Sequence, residues 1–97
     1  MTEQEWLAQS DIEKEQWIAI NIFPYSSRMT SYMNWHGFGM IVEKMPNVFY
    51  RRLGEYVTHV KVIVGSKTYT GKAPTAWEAA ALAYGKMRGL IEEYAEK

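Results

Sequence analysis

The chain has no cysteine, only three prolines and no excess of either charge. Without cysteine there is no disulfide framework, no thiolate zinc site and no thiol nucleophile. Eleven Lys and Arg against eleven Asp and Glu exclude a uniformly basic nucleic-acid-coating protein, though not a local basic patch. No run of about 18 apolar residues is present, which excludes a spanning helix. The first residues, Met1-Thr2-Glu3-Gln4-Glu5, are acidic where a secretion signal would be basic, so the expected location is the cytoplasm. Repeats and low-complexity linkers are also missing, so residues 1–97 read as a single domain. What is there is 47% hydrophobic and 14% aromatic, the composition of a folded chain and not of a disordered one.

Neutrality is an average over unlike segments. Residues 1–24 hold Glu3, Glu5, Asp11, Glu13 and Glu15 against Lys14, a net of −4. Residues 25–72 hold Arg28, Lys44, Arg51, Arg52, Lys61, Lys67 and Lys72 against Glu43 and Glu55, a net of +5. Residues 73–97 return to −1. The chain thus divides into an acidic helical segment, 1–24, and a unit over 25–97.

Local patterns give the elements. Thr2 with Glu5 and Ser10 with Glu13 are capping-box pairs, so the first segment is one broken helix or two short ones, closed by Pro24. Met29, Tyr32, Met33, His36, Met40 and Ile41 fall near helical spacing, which predicts a helix from Ser26 or Ser27 to about Met45, weakened by Gly37 and Gly39. Val48 to Leu53 reads as a strand with a turn at Gly54-Glu55. Tyr56 to Val64 alternates with period two: Tyr56, Thr58, Val60, Val62 and Val64 on one face, Val57, His59, Lys61 and Ile63 on the other. Gly65-Ser66 is a two-residue hairpin signal, and Lys67 to Lys72 returns antiparallel. Thr75 with Glu78 caps a last helix, whose stripe runs from Trp77 through Tyr84 and Ile91 to Tyr94. Gly85 and Gly89 within it suggest a close approach to another element. The expected fold is α+β: a three-stranded antiparallel meander packed by helices, in the order α-α-β-β-β-α. Trp6, Trp17, Trp35 and Trp77 are expected in the core, where buried aromatics dominate the packing of small domains.

The residues argue against catalysis. His36 and His59 have no second ligand at metal spacing, so no metal site is expected. Ser26 and Ser27 lack a nucleophile-elbow context. Glu92 and Glu93 read as a solvated helix end. Gly37-Phe38-Gly39 and Gly71-Lys72-Ala73-Pro74-Thr75 do not form a phosphate-binding loop, so no cofactor is expected. A binding protein is the better reading, and the basic, aromatic middle is its best local clue. The expected ligand contacts are Arg51, Arg52, Lys61, Lys67, Tyr69 and Lys72 to an anion, with Tyr50 and Trp35 as stacking groups. The alternative is a solvated sheet face with aromatic cross-strand pairs.

Two resemblances add to this reading. Pro24-Tyr25-Ser26-Ser27 through Ile41-Val42-Glu43-Lys44-Met45 resembles the phage ABA-sandwich domain family, in which a proline-tyrosine-serine turn opens a helix ending in a similar run. Ala73-Pro74-Thr75-Ala76-Trp77-Glu78-Ala79-Ala80-Ala81-Leu82-Ala83 is similar to that family's Ala-rich last helix. The likeness covers about residues 11–90 and departs at Asn34-Trp35-His36-Gly37-Phe38-Gly39. It implies a small phage or prophage protein. Residues 27–96 also resemble the double-stranded-RNA-binding domain in element order, and His59 through Tyr69 looks like its second and third strands. That family opens its last helix with a lysine cluster; here the place holds Pro74-Thr75-Ala76-Trp77-Glu78.

Three functions follow as expectations. The first is a non-enzymatic phage-type protein that blocks or sequesters a host component, either an anionic nucleotide-like defence signal or a host protein surface. The second is a nucleic-acid-binding module with a double-stranded-RNA-binding-like surface. The third is a structural or assembly homo-oligomer, such as a homodimer in which the −4 segment docks on the +5 middle of the same or another subunit.

Overall fold

The leading segment forms two helices, α1 (Glu3–Leu7) and α2 (Asp11–Asn21), in a computed structural model that describes residues 1–25, 31–55 and 57–92. Both capping boxes are closed: Thr2 and Ser10 accept from the N–H groups of Glu5 and Glu13, whose carboxylates accept in return from the cap N–H groups. These bonds hold the Glu5 and Glu13 carboxyls below the usual range. The chain then folds as α3 (Trp35–Val42), β1 (Val48–Arg52), β2 (Thr58–Val64), β3 (Lys67–Ala73) and α4 (Ala76–Met87). The class is α+β with an antiparallel meander in the order β1-β2-β3, as the alternation of β2 and the Gly65-Ser66 turn predict. Gly65 takes a left-handed φ of 62° in that turn, where a side chain would be strained.

The core lies between the sheet and α4. Thr58, Val60 and Val62 point into it from β2, and Gly71 and Ala73 from β3. At Gly71 the sheet and helix approach so closely that a Cβ would run into the Ala79 carbonyl and the Ala83 nitrogen. The run Ala79-Ala80-Ala81-Leu82-Ala83 makes that approach feasible, because small side chains let backbones come near. Every residue of α4 from Trp77 to Lys86 is buried, so the helix is enclosed by the sheet and the other helices. Two lysines tie the leading helices to it. Lys14 Nζ of α2 stands 3.5 Å from the Glu78 carboxylate, and Lys86 Nζ stands 3.2 Å from Glu3 of α1 while donating to the Thr70 carbonyl of β3 at 2.6 Å. These ion pairs join the leading segment to α4 and not to the basic middle.

Three expectations about the helices are corrected. The second helix does not begin at Ser26 or Ser27 and run through Tyr32: residues 31–34 are non-helical, and Asn34 caps a start at Trp35 by accepting from the Gly37 N–H at 2.7 Å. Residues 26–30 lie outside the described part. Tyr32 is buried before the helix starts, stacked on Phe23 with ring centroids 4.9 Å apart. The last helix stops at Met87, and Ile91 reaches the core after the chain has turned. Gly89, at φ 72°, donates to the Lys86 carbonyl, and Leu90 donates to the Gly85 carbonyl, which is a Schellman closure. Tyr94 lies outside the described residues. Gly85 is the close approach, against Ile91 and Trp17, whereas Gly89 is the stop signal. The third correction is Trp35. Trp6 and Trp77 are buried and Trp17 half-buried, but Trp35 is 63% exposed.

Candidate anion-binding face

Strand alternation decides what the meander presents. The register pairs Arg51 with His59 and His59 with Lys72, so these three form one row across all three strands. The next row is Phe49, Lys61 and Thr70, and beyond it Ile63 pairs with Thr68. All these residues alternate with the buried set, so they occupy the face turned away from α4. Neighbouring strands are about 4.8 Å apart and alternate residues about 6.8 Å, so the two rows form a patch about 10 Å wide and 7 Å deep at the backbone. Arg51 and Lys72 are exposed, and Lys61 and His59 are half-buried on the central strand. No position in these rows carries an acidic residue.

The expected contacts therefore divide. Arg51, Lys61 and Lys72 come together as predicted. Arg52, Lys67, Tyr69 and Tyr50 do not join them, because the register places them on the side of the helices. Arg52 is engaged locally: its Nε donates to the Gly54 carbonyl at 3.1 Å and its guanidinium to the Glu55 carbonyl at 2.7 Å, which holds the β1–β2 turn. Tyr69 is half-buried against the core. Lys67 is exposed beside the Gly65-Ser66 hairpin. Tyr50 and Trp35 meet each other at 5.8 Å and both meet Phe38, forming an aromatic cluster between β1 and α3 on the opposite face of the sheet from the cation row.

Two members of the face are not among the expected contacts. Phe49 is 55% exposed, with Lys61 Nζ 5.6 Å from its ring centroid, so a flat apolar surface lies beside the cations. His59 sits at the middle of the row. Its Nε2 is shielded from water and has no hydrogen-bond partner among the described residues. Burial, and then the charges of Lys72, Lys61 and Arg51, push its pKa below the ordinary histidine value. A neutral imidazole between two cations lets the row form with less repulsion, and a nearby negative charge would favour its protonated form. The signal for both residues was strand parity: Phe49 shares a face with Arg51, and His59 shares one with Lys61.

Among the described residues no group of three or more His, Asp or Glu side chains stands close enough together to hold a metal ion. No helix there is long and apolar enough to cross a membrane. Comparison with protein families, with characterised proteins and with solved structures finds no match.

Proposed function

We propose that the protein is a non-enzymatic binding module that takes an anionic partner on the sheet face opposite α4. One observation carries this reading: Arg51, Lys61 and Lys72, one from each strand, share a face whose strand positions, among the described residues, hold no acidic side chain. Side chains already gathered on a rigid sheet lose little freedom on binding, and uncompensated positive charge both attracts an anion and selects against wrong partners. The resemblance to the phage ABA-sandwich family suggests that the partner belongs to a host cell and that the protein blocks or sequesters it.

The test is the double substitution Arg51→Ala with Lys72→Ala. Both side chains are exposed, so the fold should persist, as circular dichroism would report. Isothermal titration with a panel of polyanions should show binding to the parent chain and its near-complete loss in the double variant. Equal binding by both would remove the face from consideration. The homodimer reading gains nothing from this face, since stacking two copies through it would oppose like charges.

A further inference from the structure

We infer that the anionic partner is a single-stranded nucleic acid, laid across the sheet with phosphates on the Arg51–His59–Lys72 row and a base against Phe49; this rests on the reading of the face as an anion site. The partner's chemistry follows from four features. First, the three cations are spread one to a strand across the sheet, with Arg51 and Lys72 exposed, whereas sites for small molecules enclose most of their ligand; such a spread row holds a polymer by repetition, not by enclosure. Second, Lys61 places a charge on the central strand, between Arg51 and Lys72 on the outer two. Protein interfaces concentrate charge at the rim and deplete it at the centre, so an acidic protein surface fits less well than a polyanion. Third, Phe49 is exposed in the row adjoining the cations, and one ring beside a charged track is the pairing by which sheets and barrels hold unpaired bases. Thr68 and Thr70 on β3, across the central strand, add hydroxyls that can meet sugar or base edges.

The fourth feature separates single strands from duplexes. A duplex hides its bases' faces, so Phe49 would have nothing to stack on. The start of α4, which in the double-stranded-RNA-binding fold carries a lysine clamp, carries Trp77 and Glu78 instead, both buried. The duplex-binding element is therefore missing, and what remains is a platform that suits unpaired bases.

The experiment is fluorescence anisotropy with end-labelled oligo-dT and oligo-U of about 12 nucleotides, titrated with the full chain. Three cations on a single strand give a salt slope of about −2, so affinity should fall about 20-fold between about 50 and 200 mM salt. Arg51→Ala with Lys72→Ala should reduce that salt effect to about threefold and nearly abolish binding at the higher salt. Phe49→Ala should weaken binding about tenfold while leaving the salt slope unchanged, since stacking releases no counterions. Phe49→Tyr should restore it, which guards against a loss caused by misfolding. Competitors distinguish the levels of the argument. Displacement of the labelled strand by its own unlabelled form, but weakly by duplex, by polyglutamate and by ATP, is the expected result. Equal competition by duplex overturns the stacking step. Binding of polyglutamate or ATP with no binding of the oligonucleotides overturns the nucleic-acid inference but leaves the anion-binding face intact. Binding of none of these probes overturns both, and oligonucleotide binding indifferent to all three positions places the site elsewhere.

Discussion

Lys14 and Glu78 form the ion pair on which the docking of α2 depends, and Lys14→Met is the substitution that tests it. Both side chains are 8% exposed, and Lys14 Nζ also lies 5.5 Å from the Trp6 ring centroid. Removing the lysine leaves a carboxylate buried without its counter-charge, which costs about 3–5 kcal/mol. A chain of this size has about 5–15 kcal/mol of stability in all, so the variant gives up a large share of it. With an m-value of about 1.5 kcal/mol/M, the urea midpoint should drop by about 2–3 M. Replacing both residues, as Lys14→Met with Glu78→Met, should recover most of that loss, because a well-packed apolar pair is neutral to stabilising where a buried ion pair stood.

The pH dependence of the single variant gives an independent check. Burial raises the Glu78 carboxyl above its ordinary range, against the lowering pull of Lys14; Asp11 adds a smaller upward push. A carboxyl whose folded pKa is raised binds its proton more readily in the folded state. Stability then falls as pH rises from about 4.5 through the raised value and is regained on acidification. Without Lys14 the folded value rises further, so the deficit of Lys14→Met should be greatest near neutrality and shrink toward about pH 4.5. Urea titrations at several pH values measure this. A deficit below about 1 kcal/mol, or one that does not change with pH, would refute the claim that Glu78 is buried against Lys14. A double variant as unstable as the single would refute it too.

Two further outcomes follow from particular residues. Gly71→Ala and Gly89→Ala should both destabilise, for different reasons: the first forces a Cβ into the Ala79 backbone and costs about 1–3 kcal/mol or more, while the second meets no atom but strains a left-handed φ of 72°, costing about 1 kcal/mol. Asparagine, which tolerates that conformation, should rescue position 89 but not position 71, as thermal melts would show. His59 is held below its ordinary pKa by burial and then by Lys72, Lys61 and Arg51, so the unfolded chain takes the proton first on acidification. The stability due to its neutral form is complete above about pH 6.5 and is lost as pH falls through the lowered folded value. His59→Gln should flatten that part of the pH profile, and proton NMR should show the His59 pKa rising when a polyanion is added; a pKa unmoved by a bound anion would separate His59 from the site.

Much of this fold is written in short-range chemistry. The pairs Thr2–Glu5, Ser10–Glu13 and Thr75–Glu78 mark three helix starts, because a hydroxyl matches the free N–H groups of a first turn; the carboxylate caps in return at the first two, whereas that of Glu78 turns to Lys14. The alternation of Thr58 to Val64 gives the central strand, and Gly65-Ser66 fixes Val64 opposite Lys67. Asn34 escapes notice as a cap because it sits inside a run whose apolar residues keep helical spacing on both sides of it. The end of α4 escapes for the same reason: Ile91 continues the apolar stripe although the backbone has already turned at Gly89. The candidate site is half legible. Parity along β1 already parts Arg51 from Arg52, and parity along β3 parts Lys72 from Lys67 and Tyr69. Which member of each pair faces away from the core depends on the register across the Leu53–Val57 connection, and that is set by α4 packing on Val60 and Val62, a tertiary fact. Trp35 is exposed because the Asn34 cap starts α3 beside it and turns the indole toward Tyr50 at the sheet edge.

The zero net charge of the chain conceals a separation that the fold makes permanent. Glu3 is held on Lys86, and the capping carboxylates Glu5 and Glu13 are held on their own helix starts, so the acidic groups of the leading segment are fixed with α1 and α2. Lys14 and Lys86 tie those helices to α4, and the Lys86 ammonium that holds Glu3 also donates to the Thr70 carbonyl of β3. These carboxylates are thus engaged by Lys86 and by their own helix starts and not by Arg51, Lys61 or Lys72, which stay available to a polyanion. The buried lysine pairs accordingly have a consequence beyond stability. If they let go, α1 and α2 would be free to bring five carboxylates within reach of the cationic row, and the chain would compete with its own ligand. Anion affinity in Lys14→Met, measured below its unfolding midpoint, should therefore fall although no residue of the binding face has changed, and the fall should be reversed by the apolar pair that restores the docking.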